Sequence, residues 1–304
     1  MAKTTRLRDW TKAIRDDVVH GDPPRSDVDW GEPDGIPTVY AKTYVGLVRV
    51  VGYVQYRTEH RVLMRGQTAC YGVMKPSAYR GAGAREVDPA LETMLEGFRA
   101  ASSLDRRPRH EPSTEPFLQH YGIRTRWLDL VDNLLHALFF AAYEQVRTDD
   151  GTWQHRPATS ERSYIYLVDC GSERDIHPVQ VVEKRRVVGV SGVWEGSDGF
   201  QLCDLRRAKP SKVLRPHVQH GYLCRPGERQ SDLWDRVLAR VELATADALR
   251  WLGEGAAVLP AMLFPGPRAD QAFAKLLEPG VEAFFAHEVA AGRDFGAVAR
   301  YRNG

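Results

Sequence analysis

The sequence lacks several features that would assign it to a familiar class of protein. Its 304 residues include only four cysteines, Cys70, Cys170, Cys203 and Cys224, and no Cys-x-x-Cys pair. A reducing compartment is therefore expected rather than a disulfide framework. No apolar run approaches the ~20 residues of a membrane-spanning helix, and the N-terminal segment lacks the apolar region of a signal peptide. We expect a cytoplasmic protein that contacts no membrane.

A large net charge is also absent. The chain has 42 Lys and Arg against 40 Asp and Glu, a formal net charge of +2, so no global field attracts nucleic acid or a membrane surface. The basic residues are nevertheless skewed, with 34 arginines and eight lysines. Guanidinium groups pair bidentately with phosphate and carboxylate. The hydrophobic fraction of 43% is typical of a globular core.

Familiar catalytic motifs are missing too. The chain contains no G-x-S-x-G, no G-x-x-x-x-G-K-[ST] and no G-x-G-x-x-G, so hydrolase-elbow, P-loop and Rossmann interpretations have no support. His217, His220 and Cys224 offer three possible zinc ligands, but alternation along a strand would split the two histidines between opposite faces. We therefore expect no metal site.

The order of predicted elements favours an α+β fold. Residues 1–37, rich in Pro, Gly and Asp after a possible helix at 10–19, predict a leader arm; a single domain over 38–304, with its core at about 42–280, follows. Helices and strands mix without βαβ alternation, which favours a single mixed or antiparallel sheet with flanking helices. Helices are predicted over residues 42–56, 89–102, 117–122 and 232–252, together with one helix capped by Asp132 and a pair of short helices at the end of the chain. Strands are predicted over 61–67, 163–169, 186–193, 213–214, 218–223 and 256–263. Loops are predicted over 104–116 and 148–162.

The first polar cluster is Arg65-Gly66-Gln67, near the end of a predicted apolar strand. An arginine on a rigid element is how phosphate and carboxylate clamps are built. Gly66 would let a ligand approach the backbone. Pairing of Arg65 with a structural acid is the alternative, because buried arginines are normally paired.

The second cluster, residues 119–129, contains His120, Thr125, Arg126 and Asp129 just before a hydrophobic helix. Strand alternation would put Thr125 and Asp129 on one face. The alternative is that an aspartate caps the helix and Arg126 pairs with an acid.

Buried charges need partners. We therefore expect at least one ion pair from Arg126 or Asp129 to Arg65 or Arg80.

The third cluster is a basic stretch at 206–225. Between Gln201 and Arg225 there are six basic residues and one acid, interleaved with apolar side chains as in a strand that lies against the protein body. Phosphate of a nucleotide or nucleic acid is the natural partner, and a solvated charged face is the alternative. The phosphate-binding candidates are Arg206, Arg207, Lys209, Lys212 and Arg215.

These clusters resemble the FRG domain family. The resemblance is carried by Met64-Arg65-Gly66-Gln67, by Leu118-Gln119-His120-Tyr121-Gly122 with Thr125-Arg126 and Asp129, by Ala137-Leu138-Phe139-Phe140-Ala141, and by Arg215-x-x-x-Gln219-x-Gly221-Tyr222. It covers about residues 42–280. The order of these elements is in turn similar to that of Arg-Ser-Glu ADP-ribosyltransferases and implies a split sheet.

That second resemblance implies roles for particular residues. Arg65, with Gln67, His120 and Arg126, would bind the cofactor NAD. The catalytic residues would be Thr125, which would orient the ribose, Asp129 and Gln219, which occupies the position of the late glutamate.

Two hypotheses therefore stand. One is an NAD-using ADP-ribosyltransferase or NAD glycohydrolase of the toxin or phage-defence kind; the other is a non-catalytic module that binds nucleotide or nucleic acid. Either predicts that Arg65, the 125–129 segment and Gln219 line one cleft.

Overall fold

The computed structural model describes residues 12–19, 26–32, 35–80, 84–102, 108–227 and 232–301. It confirms the α+β prediction: a ten-stranded, mostly antiparallel sheet and a two-stranded sheet are flanked by helices. The strands are β1 Val28–Gly31, β2 Thr38–Ala41, β3 Val62–Gln67, β4 Leu128–Val131, β5 Tyr143–Arg147, β6 Trp153–Pro157, β7 Arg162–Asp169, β8 Ile176–Glu183, β9 Arg186–Gly196, β10 Gln201–Asp204, β11 Gly221–Arg225 and β12 Val237–Ala244.

Helices cover both halves of this sheet. They are α1 Tyr44–Arg57, α2 Ala84–Ala101, α3 Thr114–His120, α4 Leu134–Ala142, α5 Leu205–Ala208, α6 Leu214–Val218, α7 Thr245–Trp251, α8 Pro260–Leu263, α9 Gln271–Leu276 and α10 Pro279–Ala290, with shorter turns at Ile14–Val19, Ser77–Tyr79, Pro108–Ser113, Trp234–Arg236 and Gly253–Gly255. Within the described ranges, no helix has the length and hydrophobicity needed to cross a bilayer.

The large sheet consists of two five-stranded halves. Its order is β1-β2-β12-β7-β3 followed by β4-β11-β10-β9-β8. Only one residue pair, Met64 with Val131, joins β3 to β4, whereas six pairs join β3 to β7. The strands splay beyond this pair, and the two halves carry separate helix layers: α1, α4 and α7 pack on the first, and α2, α3, α9 and α10 on the second.

Several predicted elements are confirmed, and their local causes are visible. Thr43 caps α1 by accepting a hydrogen bond from the Gly46 amide at 3.0 Å, as N-caps do. The predicted strand over 163–169 is central, between β12 and β3. The predicted cap of α4 is wrong by one residue, because Asn133, not Asp132, accepts from the Leu135 and His136 amides.

Other element predictions are wrong. Residues 237–244, predicted as helix, form β12, which is paired with β2 and β7 and buried along most of its length; a strand covered on both faces has no period to distinguish it from a buried helix. Residues 260–263, predicted as strand, form α8, which begins at Pro260. Part of the predicted 148–162 loop is β6.

Two further segments differ from expectation. The described part of the 104–116 loop, residues 108–116, is helical. The expected strand at 213–214 is the start of α6, and the second strand begins only at Gly221. Residues 28–31 of the expected leader arm form the edge strand β1, and Trp30 packs against the core.

Candidate functional site

A cleft of about 880 Å³ opens where β3 and β4 splay apart. One wall is polar and the other aromatic. The polar wall comprises Arg65, Arg80, Gln119, His120, Asp129 and Gln219. The aromatic wall comprises Phe140, Tyr143, Trp153, His155, Phe264 and Tyr301. The structure thus brings Arg65, His120, Asp129 and Gln219 together, although they are separated by up to 154 positions along the chain.

Arg65 has no carboxylate partner among the described residues. Its Nη1 donates to the backbone carbonyl of Asp129 at 2.7 Å, so the side chain links β3 to β4. Its Nε is buried without a hydrogen-bond partner. Burial lowers the pKa of Arg65, and the charge of Arg80 lowers it further while Asp129 opposes both. A half-buried guanidinium that lines a cleft without an ion pair can bind an anion.

The Asp129 carboxylate is held in place by an amide. Gln119 Nε2 donates to Asp129 Oδ2 at 3.0 Å, and Thr125 Oγ1 donates to Gln119 Oε1 at 2.7 Å. The Thr125 hydroxyl therefore fixes which end of the Gln119 amide faces Asp129. The Asp129 side chain remains 42% exposed to the cleft, so it can contact a ligand.

A second amide determines the tautomer of His120. Gln219 Nε2 donates to the Leu263 carbonyl at 2.8 Å, which leaves Gln219 Oε1 facing His120 Nδ1 at 2.9 Å. An amide oxygen only accepts, so Nδ1 carries the proton and Nε2 of the neutral ring has a free lone pair. Nε2 is buried without a hydrogen-bond partner and lies 3.7 Å from Asp129 Oδ1.

The protonation state of His120 follows from its burial. Burial lowers the pKa of His120, against the opposing effects of Asp129 and the Gln219 hydrogen bond. The imidazole is therefore neutral near pH 7, and Nε2 can accept a proton.

Three predicted site residues do not line this cleft. The Thr125 hydroxyl is buried against Gln119, so its contribution is to position Asp129. Arg126 pairs with Glu115 at 2.7 Å and Glu92 at 2.6 Å. Gln67 is buried in β3.

The expected ion pair from Arg126 or Asp129 to Arg65 or Arg80 is therefore wrong. Arg126 finds its acids on α3 and α2. The bond from Arg65 reaches the Asp129 backbone rather than its carboxylate.

The basic stretch at 206–225 does not form one exposed face. Lys209 and Arg215 are buried, and Arg206 pairs with Asp132 at 2.8 Å and Asp204 at 3.0 Å. Two of the predicted phosphate contacts, Arg207 and Lys212, are exposed. Helices α5 and α6 turn the other basic side chains toward the interior.

Arg215 supports the aromatic wall from beneath. Its guanidinium lies 4.5 Å from the Tyr121 ring centre, 4.6 Å from Phe273 and 5.0 Å from Tyr301, and Nη1 donates to the His120 carbonyl at 2.9 Å. Such cation–π contacts stabilise a desolvated guanidinium. Arg215 is thus a structural element between the two walls.

Two glycines are required by close packing at the site. A Cβ on Gly66 would lie 2.0 Å from the Ala137 carbonyl oxygen, and one on Gly221 would lie 2.4 Å from His120 Cε1. Gly66 is therefore required for the close packing of helix α4 against β3. The sequence suggested instead that this glycine lets a ligand approach the backbone. Gly221 leaves room for the His120 ring.

Sequence reasoning missed Gln119 and the aromatic wall as site components. Gln119 lies inside the 119–129 cluster, and its amide could have been weighed beside His120. The stacked rings of His155, Phe264 and Tyr301, 4.2 to 5.3 Å apart, come from three distant segments. The β5–β6 pairing and the Trp153–Tyr301 bridge bring His155 and Tyr301 together, and Phe264 joins them from the residue after α8.

Comparison with known proteins supports one part of the sequence interpretation. The family model of the FRG domain matches residues 60–150, which confirms the resemblance over that stretch. The matched residues include Arg65, Gln119, His120 and Asp129, and the match ends before Gln219. No curated protein and no solved structure matches the chain.

Proposed function

We propose that the cleft binds NAD and cleaves its nicotinamide–ribose bond, as an NAD glycohydrolase or ADP-ribosyltransferase. The observation that carries this proposal is the combination of a half-buried guanidinium lacking an ion pair with a partly exposed carboxylate, in one cleft that aromatic rings also line. The FRG match over 60–150 includes both charged groups.

The cationic end of the polar wall suits a pyrophosphate. Arg65 presents a guanidinium that no carboxylate of the described chain neutralises, and Arg80 lines the same cleft. Two guanidiniums can engage the two phosphates in the bidentate geometry that arginine favours. Arg124 is less suited, since its guanidinium pairs with Asp294 at 2.9 Å.

The aromatic wall suits the nicotinamide. The oxidised nicotinamide ring is flat and positively charged, so aromatic faces attract it by stacking and by cation–π interaction. His155 stacks on Phe264 with ring centres 4.2 Å apart. Burial lowers the pKa of His155 to about 4, so this ring is neutral and does not repel a cationic ligand.

Asp129 and His120 supply the chemistry in this proposal. The bond from the ribose anomeric carbon to the nicotinamide nitrogen breaks, its electron pair leaves with nicotinamide, and the Asp129 carboxylate stabilises the cationic sugar. Water, or an acceptor hydroxyl, attacks the anomeric carbon and gives its proton to His120 Nε2. With water the products are ADP-ribose, nicotinamide and one proton.

Release of nicotinamide from NAD tests the proposal. Asp129→Asn keeps the shape and can keep the Gln119 contact but removes the charge, so we expect turnover to fall by about 10²–10³-fold. Asp132→Asn is the control, because Asp132 lies three residues away, pairs with Arg206 and does not line the cleft. Equal turnover by Asp129→Asn and the wild-type protein would exclude Asp129 from the reaction.

The binding-module hypothesis gives a different result in the same experiment. If NAD and ADP-ribose bind but no nicotinamide is released with any acceptor, the cleft is a nucleotide-binding site without catalysis. If neither binds, NAD is the wrong ligand.

A further inference from the structure

A second pocket, of about 780 Å³, shares no lining residue with the first. It lies at the start of β3, where Arg61 precedes the strand, beside the turn after β7 and the surface of β9. Its lining includes three arginines and one tryptophan, Arg61, Arg174, Arg207 and Trp194. The function proposed above uses none of them.

Arginines and aromatic rings alternate across this surface. The Arg207 guanidinium lies 5.4 Å from the Trp194 ring centre, and Arg61 lies 5.1 Å from the same ring. The Arg61 guanidinium also lies 5.9 Å from the Tyr222 ring centre, and the Arg206 guanidinium lies 4.7 Å from that same ring centre. Five flat groups from β9, β11, α5 and the residue before β3 thus form one Arg–aromatic ladder.

The arginines near the Arg207 end of the ladder have no carboxylate partners. In the described part of the chain, no carboxylate forms an ion pair with Arg61, Arg174 or Arg207. Arg206, at the other end of the ladder, is paired with Asp132 and Asp204. The Arg61 guanidinium is held by rings, and its Nη1 is buried without a hydrogen-bond partner.

Four carboxylates lie in or beside the pocket, and none of them pairs with its three arginines. Glu59 and Glu173 are exposed at its rim, and no described cation pairs with either. His60 is held by Asp169 at 2.8 Å and lies 3.5 Å from Asp175. The pocket therefore presents three guanidiniums without ion pairs and a half-buried indole, beside two rim carboxylates and the two carboxylates that contact His60.

We infer that this pocket binds single-stranded nucleic acid. Unpaired bases stack on aromatic rings and on guanidinium planes, and their phosphates pair with nearby arginines. Arg207 is the exposed end of the ladder, so its guanidinium supplies the plane on which a base can stack, and the Trp194 ring supports that plane. The exposed Arg174 and Arg207 supply the phosphate contacts. An acidic peptide would use the charges but not the alternation of flat groups.

Fluorescence anisotropy with a labelled 20-nucleotide oligo(dT) tests this inference on the full chain. Arg174 and Arg207 are exposed, so the double variant Arg174→Glu/Arg207→Glu can fold, and we expect its affinity to fall at least about tenfold, with a shallower salt dependence. The control is the double variant Arg186→Glu/Arg268→Glu. Both of these arginines are exposed and lie outside the pocket, so the control makes the same change in net charge away from it. We expect this control to bind within about twofold of the wild-type protein.

Two further measurements distinguish the contribution of stacking to binding from that of charge. Trp194→Leu should weaken oligo(dT) binding several-fold without changing the salt slope, because it removes the ring that supports the Arg207 plane and removes no cation. Polyglutamate should compete poorly with oligo(dT). Absence of wild-type binding at low salt, equal losses in the double variant and its control, or full competition by polyglutamate would each overturn the inference. Nicotinamide release from NAD by the double variant should remain at the wild-type rate.

Discussion

At the scale of single residues, two side-chain amides determine the chemistry of the first cleft. Gln219 is anchored by the Leu263 carbonyl and gives His120 an acceptor at Nδ1. Gln119 is oriented by Thr125 and gives Asp129 a donor. The site therefore presents one basic nitrogen and one carboxylate, 3.7 Å apart, each held by an uncharged partner.

The tautomer of His120 can be measured directly. We expect ¹⁵N NMR at pH 7 to show a protonated Nδ1 and an unprotonated Nε2, because Gln219 Oε1 can only accept. Gln219→Leu should remove this preference and lower nicotinamide release, while the neighbouring substitution Val218→Leu should change neither. A protonated Nε2 in the wild-type protein would contradict the assigned direction of the Gln219–His120 hydrogen bond.

Gly66 offers a second test at the residue scale. Gly66→Ala would bring a Cβ against the backbone of α4, so we expect a loss of about 1–3 kcal/mol in the free energy of unfolding or more. Gly52→Ala in α1 is the matched control, because a Cβ added there would meet no atom within 4 Å, and it should stabilise the helix by about 0.5–1 kcal/mol. Urea denaturation compares the two variants, and equal stability would contradict the packing assignment.

Four of the six residues of the polar wall could be predicted from sequence, but their partners could not. Arg65, His120, Asp129 and Gln219 stand out because polar groups interrupt apolar segments. Arg126 stands out for the same reason, yet its acids are Glu115, in a stretch predicted as loop, and Glu92 on α2. A charge in a buried segment shows that a partner exists, and only the fold shows whether that partner is protein or ligand.

At the scale of elements, the β5–β6 hairpin supplies much of the aromatic wall. It pairs five residues on each strand, and its Trp153 bridges to Tyr301 near the end of the described chain. The Trp153 amide donates to the Arg300 carbonyl at 2.7 Å. Sequence patterns predict a loop over β6 because the hairpin strands are polar and largely exposed, with no apolar alternation to mark them.

The hairpin should make stability depend on pH through His155. Burial, and secondarily Arg215, lower the pKa of His155 to about 4, while the unfolded chain has the usual value near ~6.5. The unfolded state alone therefore gains a proton as the pH falls from ~6.5 to about 4, and stability declines over that window, by about 2 kcal/mol between pH 7 and pH 5.

His155→Phe isolates this contribution. Phenylalanine keeps the stacking on Phe264 and Tyr301 but cannot titrate, so the variant should lose about 2 kcal/mol less than the wild-type protein between pH 7 and pH 5. Chemical denaturation at the two pH values measures the difference. Equal losses in both proteins would show that His155 is protonated in the native state.

Strand β12 and helix α8 show where local patterns cease to determine the element. Residues 237–244 are buried on both faces between β2 and β7, so their apolar run carries no periodicity that separates strand from helix. Residues 256–263 are also apolar, but Pro260 starts a helical turn there. By contrast, α1 has an exposed and a buried face, and its period predicts it correctly.

At the scale of the whole molecule, the cleft is a consequence of the sheet's two halves. Each half has its own helix layer, one β-ladder pair joins β3 to β4, and a third apolar cluster contains residues of both halves. Arg65 lies at this junction and bonds to the Asp129 carbonyl that β3 leaves free. The composition and element order predict the α+β class, but the place where the halves separate depends on long-range pairing that no local pattern records.

The most direct test of the anion site is calorimetric titration of ADP-ribose into the wild-type protein, Arg65→Lys and Arg124→Lys. Lysine keeps the charge but loses the guanidinium fork, so we expect Arg65→Lys to weaken ADP-ribose binding at least about tenfold. Arg124→Lys, at a cleft arginine already paired with Asp294, should bind within about twofold of the wild-type protein. Equal affinity of Arg65→Lys and the wild-type protein, or no wild-type binding, would contradict the assignment of Arg65 as the anchor of a dinucleotide.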